Sequence, residues 1–369
     1  MSHRHPLEPS ERVSTTHNIL VTGGAGFIGS HVVIYLVKHF PTWNIFVFDK
    51  LDYCASLKSL QEVSSYPNYS FIKGDVCSAE FVNYILTDKK IDGILHLAAQ
   101  SHVDNSFGDS LEFTRNNVYG THVLLEAARV HKIRRFVHIS TDEVYGEVGS
   151  EQPESHEASI LSPSNPYAAT KAAAECLVMA YYKSFKLPII ITRSNNIFGP
   201  FQYPEKIIPK FICSILKSRP CYIHGNGLNS RRYLFATDLA HALAIVLQHG
   251  TVGETYNIGS DNEVTNLDLT RLLLRHFDIT DEQESIVFVE DRAFNDCRYA
   301  INSSKIHNLG WRPVVAFEDG LRMTAEWYRA NADSWWDDDI SSALAPHPKR
   351  KFPPLQFPTE SCKGLEEEL

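Results

Sequence analysis

Three groups of residues in this chain have types and spacings suited to chemistry. The first is Thr22-Gly-Gly-Ala-Gly-Phe-Ile-Gly29, with glycines at 23, 26 and 29. Gly23 and Gly26 allow a tight turn and close approach of the backbone to a diphosphate. Gly29 lets a following helix pack near the preceding strand. Free N–H groups at the start of that helix then face the phosphates. An acid, Asp49, closes the next apolar run about 20 residues on. A carboxylate there accepts bonds from ribose hydroxyls and repels a 2′-phosphate, which favours NAD over NADP. Lys50, beside it, acts against that preference. Asp75 is placed by position to meet the adenine, and Ala98, Ala99 and Gln100 end the fourth strand-like run, where such sheets open their crevice.

The second group is Tyr167 and Lys171, which follow Pro166, a residue suited to the first position of a helix. Residues four apart share a helix face, so phenol and ammonium point the same way. A cation beside a phenol stabilises phenolate and lowers its pKa, and a positively charged nicotinamide acts in the same direction. Such a tyrosinate can take a proton from a hydroxyl while hydride leaves its carbon. The third group is Asp142 and Glu143, directly after the strand-like run Arg135–Ser140. Two adjacent acids at the carboxyl end of a buried parallel strand sit at the crevice. Burial there pushes their protonation states apart, leaving one acid and one base. Either acid alone also suits a turn cap; the company of the other two groups favours catalysis.

The elements that must position these groups alternate. Strand-like runs lie at Asn18–Thr22, Ile45–Asp49, Tyr69–Lys73, Ile91–Ala98, Arg135–Ser140 and Leu187–Arg193, with helical stretches such as Gly29–Phe40 and Phe113–Val130 between them. That alternation predicts an α/β fold, a Rossmann-type doubly wound parallel sheet, because parallel strands need crossover connections. After Arg193 the rhythm becomes irregular, and a smaller α/β lobe for substrate is expected. It comprises a helix at Ile208–Lys217, strands at Cys221–His224 and Arg232–Ala236, a helix at Thr237–Gln248, a strand at Thr255–Ile258 and a helix from Asn266. The expected organisation is a flexible segment 1–17, an NAD-binding domain 18–193 to which later segments return, a substrate lobe 194–332, and an irregular tail 333–369 draped on the surface.

Composition narrows the function classes. A formal charge of −9 argues against non-specific nucleic-acid binding, which needs a basic surface. Apolar runs are broken at strand-like lengths, so no membrane span is expected, and the opening MSHRHPLEPSERVSTTH lacks the apolar core of a signal peptide. Seven cysteines without CxxC pairing fit reduced thiols, a cytoplasmic protein and no metal site.

The glycine loop and Tyr167-x-x-x-Lys171 resemble the two defining motifs of the extended short-chain dehydrogenase/reductase family. Within it the chain is similar to the nucleoside-diphosphate-glucose 4,6-dehydratases from about Asn18 to Asn331. The further matches are His102-Val-Asp-x-Ser106, Asn117-Val-x-Gly-Thr121, Ser140-Thr-Asp-Glu-Val-Tyr-Gly146, Asn195-Asn196, Pro204-Glu-Lys-x-Ile-Pro209, Asp291-Arg292 and Leu309-Gly-Trp311. The Asp-Glu pair separates it from 4-epimerases, which lack both acids, and from decarboxylases, which usually keep only the glutamate.

The resemblance implies a redox-neutral reaction on a tightly held NAD that is regenerated each turn. Tyr167, supported by Lys171 and Thr141, deprotonates the C4 hydroxyl as hydride leaves C4. Glu143 then removes the C5 proton, Asp142 protonates the departing C6 hydroxyl, and the hydride returns to C6. Cofactor contacts are expected from Phe27, Ile28, Val76 and Ser140 besides the glycines, Asp49, Lys50, Asp75, Ala98, Ala99, Tyr167 and Lys171. Substrate contacts are expected from Ser101, His102, Asn196, Glu205 and Lys206, and from Asn266 and Tyr299, with Arg231 and Arg292 as diphosphate clamps. Ala293 and Arg232 depart from the usual proline and acid and bear on pocket shape.

The finer likeness is to the dehydratase portion of plant rhamnose synthases and to fungal UDP-glucose dehydratases. It is carried by Val103–Gly108, Glu112–Gly120 and Ser342-Ala-Leu-Ala-Pro-His-Pro. UDP-glucose is therefore the first expected substrate and dTDP-glucose the second, with a separate epimerase/reductase downstream. The resemblance also implies a homodimer paired through helices at about Asn117–Val130 and Tyr167–Lys183.

Overall fold

The computed structural model describes residues 17–149, 151–291, 294–336 and 340–347. Most of the expected N-terminal segment, the tail from 348, and Arg292 and Ala293 lie outside the described residues.

The first six strands are β1 (Asn18–Thr22), β2 (Asn44–Asp49), β3 (Tyr69–Lys73), β4 (Gly93–His96), β5 (Arg135–Thr141) and β6 (Ile189–Ser194). Six more follow: β7 (Asn196–Phe198), β8 (Cys221–His224), β9 (Ser230–Phe235), β10 (Thr255–Ile258), β11 (Glu263–Thr265) and β12 (Ile286–Val289). The large sheet has seven parallel strands in the order β10-β6-β5-β4-β1-β2-β3. Its strands are apolar on both faces because both are covered. Val21, Val47 and Leu95 pack with Leu36 and Leu243 on one side, while Leu20, Phe48 and Phe136 pack with Leu86 and Leu124 on the other. The chain turns back beside β1, which lies between β2 and β4. A crevice opens at that switch point, outside the carboxyl ends of the strands.

β10, from the irregular part of the chain, pairs with β6 and lengthens this sheet. The helix Ala236–His249 covers the large sheet through Leu239 and Leu243, and other segments of that part build a second core around Phe211, Ile212, Leu273 and Tyr328. Ile340 and Leu344 are buried in it, so this stretch of the expected surface-draped tail is anchored. Two isolated apolar side chains make an anchor without making a periodicity, which is why the sequence pattern does not reveal it.

The predicted helix Phe113–Val130 contains a wide π turn at Thr114–Tyr119, between Ser110–Phe113 and Gly120–Val130. From this turn Asn117 accepts the Gln100 backbone N–H (2.8 Å) and donates to the Gln100 carbonyl (2.9 Å) and the Thr170 hydroxyl (2.9 Å). One side chain thereby ties the segment after β4 to the helix Pro166–Phe185, which carries Tyr167 and Lys171. Among the described residues no helix is long and apolar enough to cross a membrane.

Candidate active site

The glycine loop has little tolerance for side chains. Gly23 has φ +68°, and a Cβ there would lie 2.7 Å from the Ala98 backbone; one on Gly29 would lie 2.1 Å from the Gly23 carbonyl oxygen. The helix Phe27–His39 starts at Gly26 with no side chain capping its first N–H groups, which leaves them for an anion. Asp49, 7% exposed, accepts the Ala25 N–H at Oδ2 (3.0 Å) and the Leu51 N–H at Oδ1 (2.8 Å). Each oxygen keeps a further lone-pair direction for a ribose hydroxyl. Lys50 differs from its expected role as a counterweight. Its ammonium donates to Asn116 Oδ1 (3.0 Å) and pairs with Asp52 (3.2 Å) and Glu112 (3.7 Å), so its charge is already compensated.

A cavity of about 310 Å³ runs from this loop past the ends of the strands. Gly23, Gly26, Phe27, Ile28 and Gly29 line it, as do Asp49, Lys50, Asp75 and Val76 on the side of β2 and β3. Ala98, Ala99, Ser140, Thr141, Glu143, Tyr167 and Lys171 continue the wall. The Ser140 hydroxyl is buried with no protein partner. The residues present therefore fit a dinucleotide: an uncapped helix end, a buried ribose acid and an unpaired hydroxyl along one crevice.

The acids are set by the end of β5. Thr141 leaves the strand extended and its hydroxyl accepts the Glu143 N–H (3.3 Å), which starts the short 3-10 turn Asp142–Tyr145. Glu143 reaches the cavity and accepts a bond from the Asn165 amide (3.2 Å) at Oε2. Asp142 does not line it: at 2% exposure it sits behind the wall, bonded to Asn195 (2.8 Å). Burial pushes Asp142 up to about 7, with Glu143 adding to the rise. Burial also raises Glu143, against the opposing charges of Lys206 and Arg231 and the Asn165 bond. Both acids are raised by burial; Arg231 opposes the rise at both, and Lys206 adds to that opposition at Glu143.

The Tyr–Lys pair departs from expectation. Asn165 caps its helix through the Ala168 N–H and Pro166 stands at the first turn, so both side chains point into the cavity. The Lys171 ammonium, however, donates to the Ile139 carbonyl (2.6 Å), and burial lowers it to about 8. The Tyr167 phenol is pushed well above its ordinary value by burial and by Glu143 and Asp142, and only a bond with Thr141 opposes this. The cation does not overcome the carboxylates here. Lowering the phenol therefore requires the further positive charge of an oxidised nicotinamide.

Substrate residues divide. Ser101, Asn196, Glu205 and Lys206 line the cavity, Lys206 donating to the Ser101 carbonyl (2.6 Å). His102 is buried behind them, 3.5 Å from Glu205 and 3.9 Å from Asp104. Arg231, Tyr299 and Asn266 do not line it. Arg231 stacks over the Tyr299 ring at 4.6 Å and donates to the Ser230 (2.7 Å) and Cys297 (3.3 Å) carbonyls. Asn266 begins a helix capped by Thr265. Arg292 lies outside the described residues. Arg232, the departure from the usual acid, pairs with Glu154 (2.7 Å) and Glu263 (3.5 Å). Sequence reasoning missed Asn165 and Asn195 as site residues; the first had a signal, an asparagine directly before a helix-starting proline.

A doubly wound sheet with a glycine loop, and a Tyr–Lys helix facing that loop across the crevice, defines an extended short-chain dehydrogenase/reductase. Residues 20–324 match the GDP-mannose 4,6 dehydratase family, and the chain belongs to it. It is 52% identical over 339 residues to the trifunctional UDP-glucose 4,6-dehydratase/UDP-4-keto-6-deoxy-D-glucose 3,5-epimerase/UDP-4-keto-L-rhamnose-reductase of Arabidopsis thaliana, covering 91% of this chain but 50% of that protein. The chain thus spans about half the length of that relative. It is 48% identical over 334 residues to human dTDP-D-glucose 4,6-dehydratase, covering 89% of this chain and 94% of that one. The crystal structure of the dTDP-glucose 4,6-dehydratase DesIV from Streptomyces venezuelae, with NAD bound, superposes with a TM-score of 0.83 at 40% identity. The match covers 87% of this chain and 99% of that one.

Proposed function

We propose that the protein is a nucleoside-diphosphate-glucose 4,6-dehydratase, a hydro-lyase that uses NAD. The observation that carries this is the adjacent pair Asp142 and Glu143 at the end of β5, one buried with its pKa raised to about 7 and one at the cavity wall, beside the Tyr167 phenol. A 4-epimerase needs only the alcohol chemistry of Tyr167; an eliminating enzyme also needs a base for C5 and an acid for the C6 oxygen. Bound NAD supplies a hydride acceptor for C4 and returns that hydride to C6.

Tyr167 takes the C4 hydroxyl proton, with Thr141 holding the phenol oxygen. Glu143, kept ionisable by Lys206 and Arg231, takes the proton that the C4 ketone acidifies at C5. Asp142 supplies the proton with which the C6 oxygen leaves as water. Asp49 would bind the ribose hydroxyls of the cofactor, and the uncapped helix after Gly26 would hold its diphosphate. Ser101 and His102 would contact the substrate, and Asn196, Glu205, Lys206, Arg231, Asn266, Tyr299 and Arg292 would hold its diphosphate and base.

Among substrates we place UDP-glucose first, on the likeness to the Arabidopsis protein, and dTDP-glucose second, on the likeness to the human one. The two differ by a base methyl and a ribose 2′-hydroxyl, and a site built to bond a hydroxyl rejects its absence far more strongly than a slot rejects a methyl. Parallel initial-rate assays on both sugars, with the 4-keto-6-deoxy product read by mass spectrometry, test this. Higher kcat/KM for UDP-glucose is expected, and preference for dTDP-glucose would reverse the order of substrates without touching the reaction. We further infer a cytoplasmic homodimer, paired through the helices Gly120–Val130 and Pro166–Phe185. Around these helices Tyr119, Val130 and Phe185 are exposed. A separate epimerase/reductase would consume the product.

A further inference from the structure

Asp142 has no direct opening to the cavity, so what orients it decides whether it can act. Asn195, between β6 and β7, accepts the Ser260 backbone N–H at Oδ1 (3.0 Å). A backbone amide can only donate, and this bond therefore fixes which end of the Asn195 side chain is oxygen. Its Nδ2 then faces Asp142 and donates to Oδ2 (2.8 Å). An amide N–H accepts nothing, so Oδ2 is committed as an acceptor and a proton on Asp142 belongs on Oδ1. That atom lies 3.4 Å from the hydroxyl of Thr141, which lines the cavity and donates to the Asp142 carboxylate; unlike an amide, a hydroxyl can turn and accept from the protonated acid. The seat is tight: a Cβ on Gly259 would fall 2.2 Å from Asn195 Oδ1. Asn195 is also anchored through its own N–H to the Ile258 carbonyl at the end of β10 (3.2 Å).

We propose that Asn195 is a positioning residue that fixes the orientation of Asp142, taking up Oδ2 so that the acid carries its proton on Oδ1, on the Thr141 side. This rests on the dehydratase reading. The C5–H pair becomes the C5–C6 double bond as Glu143 takes the proton, the C6–O bond breaks as Asp142 Oδ1 gives up its own, and Glu143 gives its proton back to C5 when hydride reaches C6. The proton that Tyr167 took from the C4 hydroxyl restores Asp142, and Thr141, bonded to both, lies between them. The charged groups acting on Asp142 are Glu143 beside it and Arg231 on β9, while Asn195 and Thr141 are its neutral partners.

The test uses the full chain with NAD and a nucleoside-diphosphate glucose in deuterated water. Asn195→Ala should retain NAD, C4 oxidation and C5 exchange within about twofold, while water loss slows about tenfold or more. Without the donor to Oδ2, the Asp142 anion is less stabilised, so the basic limb of the kcat profile should move to higher pH. Gly259→Ala, which leaves Asn195 in the chain but crowds its oxygen, should give the same step-specific slowing. Equal loss of all three signals in both variants, or an unmoved basic limb, overturns the positioning role. Absence of water loss in the unsubstituted protein would instead overturn the dehydratase reading.

Discussion

The two ends of the cavity are built differently. At the dinucleotide and catalytic end, nearly every functional side chain hangs from the carboxyl end of a central strand or the first turn of a helix. Its position follows from backbone bonds, as with Asp49 between the Ala25 and Leu51 N–H groups and Lys171 on the Ile139 carbonyl. Arg231, Asn266 and Tyr299, proposed for the nucleotide end of the substrate, sit in the second lobe, off the cavity wall, with the Arg231 cation spent on carbonyls and a tyrosine ring. The first end is preorganised. On the proposed reading the second end would be rearranged by its ligand, because a guanidinium bonded to two carbonyls would have to exchange them for phosphate oxygens.

Substitutions at the rigid end should therefore stop particular steps, and those at the other should change affinity. Tyr167→Phe is expected to lower kcat by about 10³-fold, within the range for lost acid–base catalysis, and to abolish C5 exchange as well, since nothing precedes C4 oxidation. Glu143→Gln should cost about 10²-fold with a different signature: absorbance of the reduced cofactor builds up while C5 exchange disappears. If these two variants behaved alike, the separation of their roles would be lost. Asp142→Asn should slow water loss but leave C5 exchange. The acid must be protonated to act, so in the unsubstituted protein kcat should fall as pH rises through the region of about 7 to which burial brings Asp142, and Asp142→Asn should lack that limb.

Asp49→Ala removes charge-assisted bonds to the ribose of about 1.5–3 kcal/mol and should weaken NAD retention about tenfold or more, measured on the purified protein. Arg231→Lys, at the adaptable end, should raise KM a few-fold and leave kcat within about twofold, because a lysine keeps the charge but not the bidentate fork. A large drop in kcat instead would place Arg231 with the rigid end.

The same contrast explains what was legible from sequence. β-branched runs, the glycine spacing and the Tyr–Lys spacing map onto strands β1 to β6, the loop after β1 and the helix Pro166–Phe185, because period and turn chemistry determine them locally. The predicted strand Ile91–Ala98 shortens to Gly93–His96, since the residues beyond it turn outward to line the crevice. Local pattern does not encode which side of a wall a residue occupies. Asp142 and Glu143 are neighbours in sequence, yet one is sealed behind the cavity and the other open to it. Nor does it encode partners far along the chain, such as the Asn195 amide on Asp142 or the partners of Lys50 at Glu112 and Asn116. The pKa of Tyr167 shows the same limit: the lysine four residues on and the two acids after β5 are all visible in the sequence, but the depth of burial that raises the phenol is not.

The central claim is an elimination enclosed between two hydride transfers within one sugar. It is tested most directly with UDP-glucose carrying deuterium at C4, incubated with the protein in ordinary water, and the product read by NMR. The account predicts a 4-keto-6-deoxy sugar with that deuterium in the C6 methyl group and a solvent proton at C5. Deuterium returned to C4 in an epimerised hexose that has kept its C6 oxygen would contradict it.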